Sequence, residues 1–244
     1  MPLLRLDRML SSQGIGSRKE IKQLLSHGSI TVNGKIVKST AIKVDTVKDM
    51  VRANGKAVVY SEYIYIMMNK PSGVISASND PKAETVINLL PEELTRPGLF
   101  PAGRLDRDTE GFMLITDDGN FAHSILSPKR HVDKSYFAVI DGNLSADDIK
   151  RFETGLHMGE GITSLPAKLE FVEQLSDGNA SFNVTIHEGK FHQIKRMFYA
   201  VGRDVLYLKR TAIGNLMLDE TLEPGESRAL TADEVDKIAP QATL

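Results

Sequence analysis

Apolar residues recur at helical spacing twice near the start of the chain, first at Leu6, Met9 and Leu10 and then at Ile21, Leu24 and Leu25. Ser17 and Glu20 have the spacing of a capping box that opens the second helix, and Gly28 ends it. The period then shortens to two. Ile30 and Val32 alternate with polar neighbours, Asn33-Gly34 supplies a two-residue hairpin turn, and Ile36 and Val37 begin the return strand. The pattern predicts a compact helix–helix–hairpin unit. A strand and a turn at Asn54-Gly55 lead out of it, with a boundary near residue 60, so that two domains are expected at 1–58 and 62–244.

Beyond that boundary the pattern is mixed. Tyr63 to Met68 reads as a strand running into the Asn69-Lys-Pro-Ser-Gly73 turn, Thr85 to Leu90 as a short helix, and Phe112 to Thr116 as a strand. Asp117-Asp-Gly119 is a turn before a helix over Asn120 to Leu126, and Tyr136 to Ile140 is again a strand. Ser145 caps a helix reaching about Glu153. Leu169 to Gln174 and Ser181 to Ile186 form a hairpin around Asp177-Gly-Asn179, a longer helix spans Phe191 to Val201, and Gly202 stops it. A strand near Val205 to Lys209, a turn at Pro224-Gly225 and a helix capped at Thr231 complete the chain. The expected class is α+β, without regular βαβ repetition.

Composition narrows the function classes. The 244 residues are 41% hydrophobic and 25% charged, ordinary values for a globular chain, and the strongly apolar stretch Tyr63–Met68 is far too short to span a bilayer. No secretory signal is visible at the start, so a cytoplasmic protein without a membrane partner is expected. With no cysteine, thiolate catalysis and cysteine-ligated metals are excluded, and six scattered histidines support no metal site. The net charge of −2 hides an asymmetry: residues 1–56 hold eleven Lys and Arg against four Asp and Glu, and the remainder nineteen against twenty-eight. A basic module on an acidic body suggests a part that grips nucleic acid. On the second helix, Arg18, Lys19 and Lys22 fall away from the apolar stripe and form its basic face, and Lys35 follows the hairpin turn.

Two segments concentrate candidate chemistry. Gly103-Arg-Leu-Asp-Arg-Asp-Thr-Glu-Gly111 sets Asp106 between Arg104 and Arg107, an arrangement in which neighbouring cations favour the charged carboxylate and also suit phosphate. The helix after Glu188-Gly-Lys190 has two faces. Ile194, Met197, Phe198 and Val201 make one stripe, while His192, Lys195, Arg196 and Tyr199 gather cations and an aromatic ring on the other. Lys134-Ser-Tyr136 adds a basic–aromatic pair at a strand start.

Residues 1–58 resemble the S4 RNA-binding domain through Arg5-Leu-Asp7, Ser17-Arg18 and Val32-Asn-Gly-Lys35. Asn69-Lys-Pro-Ser-Gly73, the 103–111 segment, Lys134-Ser-Tyr136 and Glu188-Gly-Lys-Phe-His-Gln-Ile-Lys-Arg-Met197 follow the order and approximate spacing of the Rsu family of RNA pseudouridine synthases. The resemblance implies a small S4-like domain and a larger catalytic domain with a mixed, mainly antiparallel sheet and flanking helices. It implies isomerisation of uridine to pseudouridine without a cofactor, acting as a monomer on ribosomal RNA in an assembly particle. By the same resemblance Asp106 is the catalytic aspartate, Tyr136 stacks on the target uracil and Lys195 pairs with the aspartate. Ile194 and Pro71 line the uracil pocket, and Arg104, Lys70, His192, Gln193, Arg196, Arg18, Lys19, Lys22 and Lys35 contact RNA. Gly155 to Lys168 resembles the branch acting on 16S RNA more than the 23S branch. A 23S enzyme, a ribosome-associated RNA-binding protein without catalysis and a hydrolase using Asp106 with Asp108 or Glu110 are the competing readings.

Overall fold

The computed structural model describes residues 3–127 and 130–238 and divides into two compact units. The smaller takes Met1–Ile64 together with Glu92–Leu99, and the larger takes Tyr65–Pro91 and Phe100–Leu244. The 92–99 segment belongs with the smaller unit because Arg96 is buried there. Its guanidinium donates to Gln13 Oε1 at 3.3 Å and to the carbonyls of Ser61 and Glu62 at 3.1 and 3.2 Å. A division of the chain at 58–62 leaves that segment on the other side.

In the smaller unit β1 (Leu4–Arg5) runs into α1 (Leu6–Ser12), followed by α2 (Arg18–Ser26), β2 (Ile30–Val32), β3 (Lys35–Ile36), β4 (Lys43–Val44), β5 (Val51–Ala53) and β6 (Lys56–Ala57). The Ser17 hydroxyl accepts from Glu20 N while the Glu20 carboxylate accepts from Ser17 N, satisfying two otherwise orphaned donors at the start of α2. Asn33-Gly34 and Asn54-Gly55 both carry positive φ at each residue, the geometry that a tight hairpin needs. These turns set the β3-β2-β5-β6 sheet, and β1 pairs β4 separately. Leu6, Met9, Leu10, Ile21, Leu25, Ile30, Val44 and Val51 form the core between helices and sheet.

The larger unit contains β7 (Tyr65–Lys70), β8 (Phe100–Pro101), β9 (Glu110–Thr116), α3 (Gly119–Leu126), β10 (Lys134–Ile140), α4 (Ala146–Thr154), β11 (Lys168–Gln174), β12 (Ala180–Ile186), α5 (Gln193–Tyr199), β13 (Val205–Ile213), β14 (Leu216–Met217), β15 (Ser227–Ala229) and α6 (Ala232–Ile238). Its sheet has nine strands in the order β11-β12-β10-β13-β9-β7-β15, with β14 beside β13 and β8 beside β9. Among the described residues every ladder of this sheet is antiparallel except β13 with β9, where Lys209 and Arg210 face Glu110 and Gly111. Gly111 is required at that junction: its φ is 95°, and a Cβ there would run into the Arg210 carbonyl. Met67, Phe112, Leu114, Ala122, Ile125, Ile213 and Ile238 pack together as one apolar cluster. A second set of contacts joins α4, α5 and β12 through Phe152, Phe198 and Phe182.

Four elements differ from the sequence pattern. Thr85 to Leu90 is not a helix but a pair of tight turns, because the Asn88 side chain accepts from both Thr85 N and Thr85 Oγ1 and Thr85 bridges to Ile75. α5 is shorter than 191–201 since His192 takes a left-handed conformation, φ 49° and ψ 34°, and so starts the helix at Gln193. β13 runs on to Ile213, and the strand β15 follows the Pro224-Gly225 turn. Among the described residues no helix is long and apolar enough to cross a membrane.

Candidate active site

Asp106 lies in the loop between β8 and β9, on the approach to the parallel junction. The loop is fastened by the segment that leaves β7. Gly73 N donates to the Arg107 carbonyl at 2.8 Å, Arg107 Nε donates back to the Gly73 carbonyl at 2.9 Å, and the Ser76 hydroxyl donates to the Leu105 carbonyl at 2.9 Å and accepts from Leu105 N at 3.0 Å. Beneath them Lys70 is fully buried. Its ammonium donates to the carbonyls of Pro71, Arg107 and Thr109 at 3.0, 3.2 and 2.9 Å. Burial pulls its pKa down to about 8, against the opposing pull of Asp108, Glu110 and Asp106. Lys70 is therefore not an RNA contact, which corrects the expectation: it ties down the loop that presents Asp106. Pro71 is not among the residues lining the cleft beside Asp106, and its carbonyl accepts from the Lys70 ammonium.

That cleft brings Asp106, Tyr136, Lys195, His192, Ile194 and Arg104 together. Tyr136 reaches it from β10 and is 7% exposed; Ile194, 4% exposed, contributes an apolar wall from α5 with Ile186 and Leu208 beside it. Lys195 Nζ stands 3.7 Å from Asp106 Oδ2, so the expected pair is present, but the nearer partner is Asp108, gripped through both oxygens at 2.6 and 2.7 Å. The Lys195 ammonium holds the Asp108 carboxyl below the usual carboxylate range. His192 Nε2 lies 3.5 Å from Asp106 Oδ1. Thus the groups close to the Asp106 carboxylate come from α5 and its cap, not from the two arginines flanking it in sequence. Arg107 is committed to Gly73, while Arg104 is exposed at the cleft.

Gln193 and Arg196 are turned to other uses. Gln193 is buried in the lining of the cleft, donating to Glu188 Oε1 at 2.9 Å and accepting from Lys190 N at 2.9 Å, so it fixes the loop before α5. Arg196 reaches the Met158 carbonyl through Nε and Nη2 at 3.2 and 2.8 Å, which holds the 155–162 turn and leaves the cleft to Lys195. Lys134 is likewise buried: its ammonium donates to the Ile125 and Val132 carbonyls, and its pKa falls to about 8 through burial. In the smaller unit Arg18, Lys19, Lys22 and Lys35 are all exposed. Arg18 and Lys22 line a hollow with Arg5, Arg8 and Thr40.

A slot of mixed lining, with an aromatic wall, aliphatic side chains, a partly shielded carboxylate and an ammonium beside it, suits a flat, neutral base held against a nucleophile. The family models agree with that chemistry. Residues 64–200 match the RNA pseudouridylate synthase family and residues 4–51 the S4 domain. The chain belongs to the RNA pseudouridine synthase family and is an enzyme of the isomerase kind carrying an S4 domain. It is 46% identical to an uncharacterised RNA pseudouridine synthase of Bacillus subtilis over 98% of this chain and all of that one. It is 42% identical to the ribosomal small subunit pseudouridine synthase A of Vibrio cholerae, over 96% and 99% of the two chains. With the ribosomal large subunit pseudouridine synthase B of Bacillus subtilis it shares 36% identity over 96% and 95%. A pseudouridylate synthase crystal structure at 34% identity superposes with a TM-score of 0.64, covering 96% of this chain and 99% of the other.

Proposed function

We propose that this protein isomerises a uridine of 16S ribosomal RNA, with Asp106 as the nucleophile or proton-removing group, Tyr136 as the stacking platform and Lys195 as the charge that keeps Asp106 productive. The observation carrying the chemistry is the meeting of Asp106, Tyr136 and Lys195 in one slot walled by Ile194. Two of the relatives above are named as ribosomal-subunit pseudouridine synthases, and the 16S choice rests on the 42% identity to the small-subunit enzyme against 36% to the large-subunit one, together with the character of residues 155–168. The protein acts as a monomer, in the cytoplasm, on RNA within an assembly particle, with residues 1–58 as the RNA-gripping module and 62–244 as the catalytic part.

The reaction breaks the bond from ribose C1′ to uracil N1, joins C1′ to C5, and exchanges the C5 proton for one on N1, so nothing external is consumed. The uridine must leave its stack to reach a carboxylate set in a cleft, and Tyr136 offers the ring that receives it. A carboxylate at this point serves attack on C1′, attack on C6 or removal of a sugar proton equally well. Tritium release from RNA labelled at uracil C5, measured separately on 16S and 23S transcripts, tests the reading. Release from 23S RNA alone reverses the choice of subunit, and release from neither removes the activity.

Two further results are expected. Tyr136→Phe keeps the platform and binds RNA like the parent, whereas Tyr136→Leu loses ~1–3 kcal/mol of stacking; filter binding distinguishes them, and equal affinities would remove Tyr136 from that role. Replacing Arg18, Lys19 and Lys22 together by alanine lowers the slope of log K against log salt by roughly 2–3, since each phosphate contact contributes about 0.7–0.9. An unchanged slope means those three exposed cations do not meet the backbone.

A further inference from the structure

We infer that Phe191 and His192 form a second base-binding platform at the mouth of the cleft, which receives a nucleobase next to the target uridine. Their rings are stacked, with centroids 3.8 Å apart and planes inclined by 19°. His192 serves two sites at once: one edge points Nε2 at Asp106 Oδ1 from 3.5 Å, and one face backs the Phe191 ring. Phe191 itself is 72% exposed, so the pair presents an unpartnered aromatic surface beside the slot that holds Tyr136.

The backbone holds this arrangement at a cost. His192 has φ 49°, a left-handed value that residues other than glycine seldom adopt. The preceding loop is fixed at both ends. Lys190 Nζ donates to the Thr163 carbonyl at 2.7 Å and pairs with Glu188 at 2.8 Å, and the buried Gln193 bonds both Lys190 N and Glu188. A large apolar ring kept in water by a rigid loop, next to a carboxylate site, has no folding purpose visible in its contacts. A nucleobase is the occupant that fits: it stacks on an aromatic face whatever its sequence, and Arg104, exposed at the same cleft, supplies a cation for the phosphate that connects it to the target. Stacking there compensates for part of the contact that the neighbouring base loses when the uridine swings out.

The inference rests on the cleft being the uridine site, and binding and turnover separate the two ideas. The measurements are Kd and single-turnover tritium release on bacterial 16S and 23S RNA transcripts for the full-length parent, Phe191→Ala, Phe191→Leu and Phe191→Trp. Phe191→Ala and Phe191→Leu should weaken binding by about 5- to 100-fold, the span of one base–aromatic stack, and Phe191→Trp should restore it. Parent-like binding by Phe191→Ala overturns the platform, as does a Phe191→Leu variant that binds like Phe191→Trp, since greasiness and not a flat ring is then the requirement. Sedimentation of parent and Phe191→Ala covers the remaining occupant: a dimer present only in the parent assigns the ring to a second copy of the chain and overturns the proposal. If the parent releases no tritium from either RNA while the affinity pattern holds, the activity is wrong and the platform stands.

Discussion

Asp106→Asn is expected to abolish turnover, lowering single-turnover tritium release on the order of 10⁴-fold or more, as loss of a reacting nucleophile does elsewhere. The substitution is nearly isosteric, so the loop should keep its shape. Its fastenings run from main-chain groups of Leu105, Arg107 and Thr109 and from the Arg107 guanidinium to Ser76, Gly73 and Lys70, and none uses the Asp106 side chain. What disappears is the charge opposite Lys195 and His192 and, on the proposed function, the carboxylate that attacks or removes a proton. RNA affinity should stay within a few-fold of the parent, because phosphate contacts dominate affinity and none is removed. Turnover above a tenth of the parent value would mean that Asp106 does not react, and attention would move to Asp108, the other carboxylate on this loop.

The elements legible in the sequence are those whose causes are local. Ser17 with Glu20 and Ser145 with Asp148 make reciprocal capping boxes between residues three apart, and both helices begin where those pairs sit. Asn33-Gly34 enforces its hairpin through its own backbone. What was not legible depends on residues distant in sequence. Arg96 joins Glu92–Leu99 to the smaller unit through a partner 83 positions away, and nothing near Arg96 announces it. Lys70 looks like a surface cation by composition, yet the carbonyls of Arg107 and Thr109, 37 and 39 residues on, take it inside. The amphipathic pattern of α5 placed Ile194, Met197 and Phe198 on the buried side. It gave no warning that Gln193 is buried among loop groups, or that His192 breaks the helix and comes to face Asp106. Within the candidate site, the three residues named for chemistry do meet, while the assignment of cations to carboxylates reads differently in space. Arg107 bonds Gly73, Arg104 lies exposed at the cleft without an ion pair to Asp106 among the described residues, and a lysine 87 residues beyond Asp108 approaches instead.

That redistribution makes Lys195→Met the second large effect. The ammonium has two carboxylates within reach, Asp108 at 2.6 Å and Asp106 at 3.7 Å, and the nearer is the more exposed, 69% against 28%. A pair so open to water contributes little, ~0–1 kcal/mol at most, whereas the contact to the better-shielded Asp106 acts where water is excluded once a base occupies the slot. Removing the charge should therefore lower turnover by ~10²-fold, comparable with loss of one fixed electrostatic partner in other active sites. Asp108→Asn should cost less than about fivefold, the size of a surface pair. The double variant should match Lys195→Met alone, since Asp108 acts only through the ammonium it holds. Single-turnover rates of the three variants decide the matter. If Asp108→Asn proves as damaging as Lys195→Met, the working pair is Lys195 with Asp108, and Asp106 must owe its reactivity to His192 and the loop alone.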